Sequence, residues 1–104
     1  MQVTNDISVV DNGQALVVVL RGEVDATLRD QASAALSVTL RDERDVEVDA
    51  TEVRFIDSSG LAFIMQLQRT VSESDRVVRL RDPAGVITNL LQLIGLPDLF
   101  EMAQ

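Results

Sequence analysis

The period of the apolar residues switches repeatedly along this chain, and that alternation limits the fold more than any other feature. Residues 7–10 and 15–20 are β-rich runs separated by Asp11-Asn12-Gly13-Gln14. Asn-Gly accepts the positive φ angles of a tight turn, so the two runs are expected to form an antiparallel hairpin. Residues 17–20 are continuously apolar, as in a strand covered on both faces. Beyond Gly22-Glu23-Val24-Asp25 the period becomes helical. Leu28, Ala32, Ala35, Leu36 and Leu40 share one face, with Asp25 or Thr27 as the cap.

The same exchange recurs twice more. A short alternating strand at 46–49 leads through a polar step to Asp57-Ser58, after which a helix is expected, its apolar pattern beginning at Leu61 and the helix running to about Ser72. A strand at 77–80 precedes a third helix opened by Asp82-Pro83, with Asp as cap and Pro where its missing N–H costs nothing. Val86, Ile87, Leu90, Leu91 and Ile94 supply its buried face, and Gly95 and Pro97 end it. Residues 99–101 add a short last strand. The order is β-β-α-β-α-β-α-β: an α/β chain forming one domain over 1–104, with a mixed, mostly parallel sheet. Such sheets present ligands and partners to the carboxyl ends of their strands, here near Asp57 and at 22–25.

Composition removes most enzymatic chemistries. The 104 residues include no Cys and no His, so thiol nucleophiles, disulfides and imidazole bases are excluded, and so is a Ser-His-Asp triad from one chain. All nine basic residues are Arg, which excludes a Schiff-base or P-loop lysine. No cofactor or metal is expected. The net charge of −8 argues against nucleic acid, which needs a basic face, and against an anionic membrane surface, and it favours a partner with a basic patch. Apolar runs reach only five or six residues, at 15–20 and 61–65, too short for membrane insertion. The first six residues lack a basic segment followed by an apolar one, so no signal peptide is expected and the chain is placed in the cytoplasm.

Chemistry concentrates at Asp57-Ser58-Ser59-Gly60-Leu61. Asp and Ser are preferred helix N-caps, because their side-chain oxygens accept orphan N–H groups of the first turn. The same terminus favours a phosphate, through free donors and a partial positive charge. Two hydroxyls there read either as plain capping or as a phosphorylation switch. Asp25 reads as a helix cap or as a neighbour of that switch, and Phe63 as core or as partner contact. Arg21 and Arg54, which border these segments, read as solvated or as phosphate contacts.

Three ordered landmarks resemble the STAS domain family, specifically the bacterial anti-sigma factor antagonists. Asp57-Ser58-Ser59-Gly60-Leu61 resembles the family's phosphorylation motif, Asp-Ser-(Ser/Thr)-Gly-Leu at a helix start. Gly22-Glu23-Val24-Asp25 is similar to the Gly-Glu-Leu-Asp that ends the family's second strand. Asp82-Pro83-Ala84 with Val86, then Ile94-Gly95-Leu96, resembles its third-helix segment. The resemblance implies a non-enzymatic partner switch. The unphosphorylated antagonist binds an anti-sigma factor that is also a serine kinase, which frees the sigma factor. Phosphorylation releases the antagonist, and a serine phosphatase resets it. Carried over, the acceptor is Ser58, and Asp25, Asp57, Ser59, Gly60 and Phe63 are the expected partner-binding residues. Short STAS subunits of lipid-transport complexes share the fold, and imply the alternative of constitutive docking on a transporter ATPase or scaffold.

Overall fold

The structure, a computed structural model, describes residues 4–103; residues 1–3 and 104 of the expected domain lie outside the described residues. Strands β1 (Asp6–Asp11) and β2 (Leu16–Val24) form the expected antiparallel hairpin. Its loop is closed by the Asn12 side chain, whose Oδ1 accepts from the N–H groups of Gln14 and Ala15 at 2.9 and 2.8 Å. A 3₁₀ turn (Ala26–Leu28) leads into α1 (Arg29–Leu40), followed by β3 (Val46–Ile56) and α2 (Ser58–Ser72). The chain then forms β4 (Val78–Arg81), α3 (Val86–Leu93) and β5 (Glu101–Met102).

The five strands lie in sequence order, with β2 to β5 mutually parallel. Each parallel crossover steps to the next strand in the same direction, so right-handed connections put all three helices on one face. The core sits between that face and the helices, with Val18, Leu20, Val46, Val48 and Leu80 of the sheet against Ile64, Leu67, Val71, Ile87 and Leu91. The other face carries no helix among the described residues. It is a surface of cross-strand pairs, among them Arg81 with Glu47 at 3.4 Å and Arg79 with Asp45 at 3.4 Å. The apolar run of β2 is therefore covered unevenly. Val18 and Leu20 meet helices, whereas Val17 and Val19 are shielded by in-register neighbours on the open face, Val10 and Glu47 for one, Ser8 and Asp49 for the other.

Four element details differ from the sequence expectation. Leu40 is exposed and Thr39 is fully buried in its place. Counting 100° per residue from Leu28, position 39 returns to the buried face and position 40 does not; the Thr39 hydroxyl donates to the Leu36 carbonyl at 2.8 Å, which makes burial tolerable. Strand β3 runs to Ile56 rather than Asp49, because register shifts opposite Val19/Arg21 and Gly22/Glu23 insert two extra residues. The buried positions then fall at Ala50, Val53 and Ile56, and the alternation that signals a strand is lost. Helix α3 starts at Val86, not at Pro83. Gly85 has φ 76°, outside the helical region, and Asp82 caps from further back, accepting the Thr88 N–H at 2.8 Å. Ile94 is half-exposed beyond the end of that helix, and the last strand lies at 101–102 with buried Phe100 before it. No described helix is long and apolar enough to cross a membrane.

Candidate functional site

The ends of β2 and β3 and the start of α2 are fastened to one carbonyl. The Asp57 N–H donates to the Val24 oxygen at 3.2 Å, and Gly60 lies against the same oxygen. A β-carbon on Gly60 would come 2.6 Å from it and 2.7 Å from Ile56 Cγ1. Only a residue without a side chain lets the first turn of α2 sit this close to the sheet. The glycine of the motif is thus a packing requirement.

Asp57 is the N-cap of α2, with extended backbone. Its Oδ1 accepts the Gly60 N–H at 3.0 Å, and its carbonyl accepts the Leu61 N–H at 2.9 Å. That satisfies the third donor of the helix and leaves the N–H groups of Ser58 and Ser59 outside intrahelical bonding. Both serines are exposed. Ser58 is the first helical residue, and Ser59 turns toward a cleft between α1 and α2.

Asp25 stands at the end of β2, on the same side of the sheet, half-buried. It caps the 3₁₀ turn as expected. Its Oδ1 accepts the Thr27 hydroxyl at 2.5 Å and the Thr27 N–H at 3.0 Å. Those bonds, the hydroxyl's first, hold its carboxyl below the usual carboxylate range.

The cleft holds about 200 Å³, with Ile7, Val24, Leu36 and Phe63 as apolar lining. Asp25, Ser59, Gly60 and Phe63 line it jointly, so four of the six expected site residues share one concavity. Phe63 is 8% exposed, a core residue that also closes the floor of the cleft. Arg21 is occupied by Glu52 at 3.0 Å and Asp6 at 3.6 Å and does not line the cleft. Arg54 is exposed and makes no ion pair among the described residues.

Sequence reasoning did not single out Arg29, Ser33 or Gln66, which also line the cleft. The signal was faint. Arg29, Ser33 and Leu36 follow each other at helical spacing on α1, but only the docking of α2 shows that this stripe faces a neighbour.

A family model described as Mlab, STAS domain, matches residues 7–101. Among solved structures, an anti-sigma-factor antagonist (STAS) domain protein from Planctomyces limnophilus is similar, with TM-score 0.78 and 18% identity over 97% of this chain and 91% of that one. An anti-sigma factor antagonist from Mycobacterium paratuberculosis gives TM-score 0.74 and 22% identity over 97% and 85%. The Bacillus cell fate determinant SpoIIAA in its phosphorylated form gives 0.74 and 20% over 94% and 91%. At these identities the likeness is one of fold. No curated protein matches the chain.

Proposed function

This chain belongs to the STAS domain family, and from that premise we propose that it is an anti-sigma factor antagonist, a non-enzymatic partner switch governed by phosphorylation of Ser58. It acts in the cytoplasm. Unphosphorylated, it binds an anti-sigma factor that is also a serine kinase and so releases a sigma factor for transcription. Phosphorylation ends the complex, and a serine phosphatase restores it. The observation that supports this reading is the position of Ser58, exposed at the first residue of α2 while Asp57 takes the capping role. Its hydroxyl is therefore not needed to hold the helix and is free for modification.

The physics of the switch follows from that placement. A phosphate adds a charge of roughly −1.5 to −2 and three acceptor oxygens. At the N-terminus of α2 the protein itself tolerates it, with favourable terms of about 0.3–1 kcal/mol per charge when exposed. Against a docked partner the same charge must be desolvated beside Asp57 and Asp25. The fold survives and the partner leaves. Asp25, Asp57, Ser59 and Gly60 form the docking surface around the acceptor, and Phe63 contributes through the opening of the cleft.

The test incubates the purified chain with the candidate anti-sigma kinase and Mg-ATP, then reads the intact mass and the modified residue. One phosphate on Ser58 is expected, with kinase binding lost in the phosphorylated and Ser58→Asp forms. An unmodified chain whose complex is indifferent to Ser58→Asp would overturn the switch and favour a constitutive STAS subunit docked on a transporter ATPase or scaffold.

A further inference from the structure

The cleft between α1 and α2 carries two ionic groups on an otherwise apolar or neutral lining, and neither group is spent on the other. Asp25 commits only Oδ1, to Thr27; its Oδ2 accepts no hydrogen bond from the described residues. Arg29 is exposed and lies on the same cleft, and its guanidinium makes no ion pair or hydrogen bond among the described residues. Arg21, Arg44, Arg79 and Arg81 are each paired with a carboxylate; Arg41, Arg54 and Arg69 make no ion pair among the described residues either, but none of them lines this cleft. The side chains of Ile7, Val24, Leu36 and Phe63 supply the apolar part of the same lining. The hydroxyls of Ser33 and Ser59 add neutral hydrogen-bonding capacity.

A site with one carboxylate, one guanidinium and an apolar floor selects a molecule with one ammonium, one carboxylate and an apolar side chain. A simple fatty acid leaves Asp25 facing it unpaired, and an amine does the same to Arg29. The volume of about 200 Å³ falls below the roughly 300–1,000 Å³ of clefts that enclose drug-sized ligands. We propose that this cleft is a binding site for a small zwitterion of the apolar α-amino acid class, with its ammonium on Asp25, its carboxylate on Arg29 and its side chain against Phe63 and Leu36. The proposal does not depend on modification of Ser58. A bound amino acid would contact Ser59 and Gly60, one residue from Ser58, so its level would be felt at the same surface.

The test is a ¹⁵N heteronuclear NMR titration of the chain with L-leucine, 4-methylpentanoate, 3-methylbutylamine and glycine, which delete in turn the ammonium, the carboxylate and the side chain. Leucine is expected to give saturable shifts centred on Val24, Asp25, Arg29, Gly60 and Phe63. Each deletion should weaken binding by about fivefold or more, the factor that one partly exposed charge pair or its apolar equivalent contributes. Asp25→Asn, which can keep the Thr27 cap, and Arg29→Gln should each weaken leucine by a similar factor while the remaining spectrum stays that of the folded chain. Absence of saturable shifts with leucine overturns the proposal. So does binding of the pentanoate or the amine as tight as that of leucine, or indifference to both substitutions.

Discussion

Gly60 rests on the carbonyl of Val24 so closely that a methyl group in its place would come within 2.6 Å of the oxygen. The same oxygen accepts the Asp57 N–H, so the end of β2, the end of β3 and the start of α2 are tied together at one atom.

Gly60→Ala must therefore push α2 away from the sheet or break the Val24–Asp57 bond. The expected cost is about 1–3 kcal/mol, as for other overpacked interiors. Urea unfolding followed by far-UV circular dichroism measures it, since the chain has no Trp or Tyr for fluorescence. A variant as stable as the parent would show that the helix start yields freely.

Asp57 caps α2 through one bond to Gly60, so Asp57→Ala should cost about 1 kcal/mol, a fall in Tm of about 4–8 °C for a domain near this size. Asp57→Asn keeps an acceptor at the same place and should recover most of the loss. Equal melting of the two variants would mean that charge rather than the cap matters.

Arg76 is a buried cation closing the C-terminal end of α1. It donates to the Thr39 and Asp42 carbonyls at 2.9 and 2.6 Å and to Ser74 Oγ at 2.9 Å. Arg76→Ala removes the donor to the Asp42 carbonyl and leaves the Thr39 carbonyl only the Asp42 N–H at 3.3 Å, and an expected loss of about 1.5–3 kcal/mol follows from hydrogen bonds to a charged group. Arg76→Lys should restore only part, because an ammonium cannot span the fork. Full rescue by Lys in the same unfolding assay would rule out the geometric role.

Arg44 bridges Asp11 at 2.8 Å and Asp42 at 2.9 Å, and its hydrogen bonds depress the carboxyl pKa of both acids. A depressed folded-state pKa contributes stability above the unfolded value of about 3.9 and loses it as pH falls through the folded one. Arg44→Gln is thus expected to be less stable than the parent near neutral pH. The gap should narrow progressively below about pH 4. Unfolding titrations across that range decide it; a gap that widens on acidification contradicts the sign.

The hairpin, the alternation of strand and helix and the capped helix start at Asp57-Ser58 were legible because each rests on neighbours in sequence: Asn12 folds back on Gln14 and Ala15, and Asp57 reaches only to Gly60. The second half of β3 was not legible, since two inserted residues break its alternation and are explained only by the path of β2 beside it. Thr39 was missed for the opposite reason. Its helical phase is apolar but its identity is polar, and the hydroxyl is satisfied within its own helix.

At the site, local order placed Ser58, Asp57 and Asp25 at strand ends, where backbone donors and acceptors are resolved within three residues. Residue order alone determined that a helix opens at Asp57-Ser58; the structure decided that Asp57 is the cap and that Ser58 stands exposed in the first turn. Tertiary structure alone decided that Gly60 must lack a side chain, because the obstructing atoms belong to Val24 and Ile56 on two different strands. It also decided that Arg29 and Asp25 share a cleft with Phe63, since the distance between α1 and α2 is set by packing against the sheet rather than by any short-range preference.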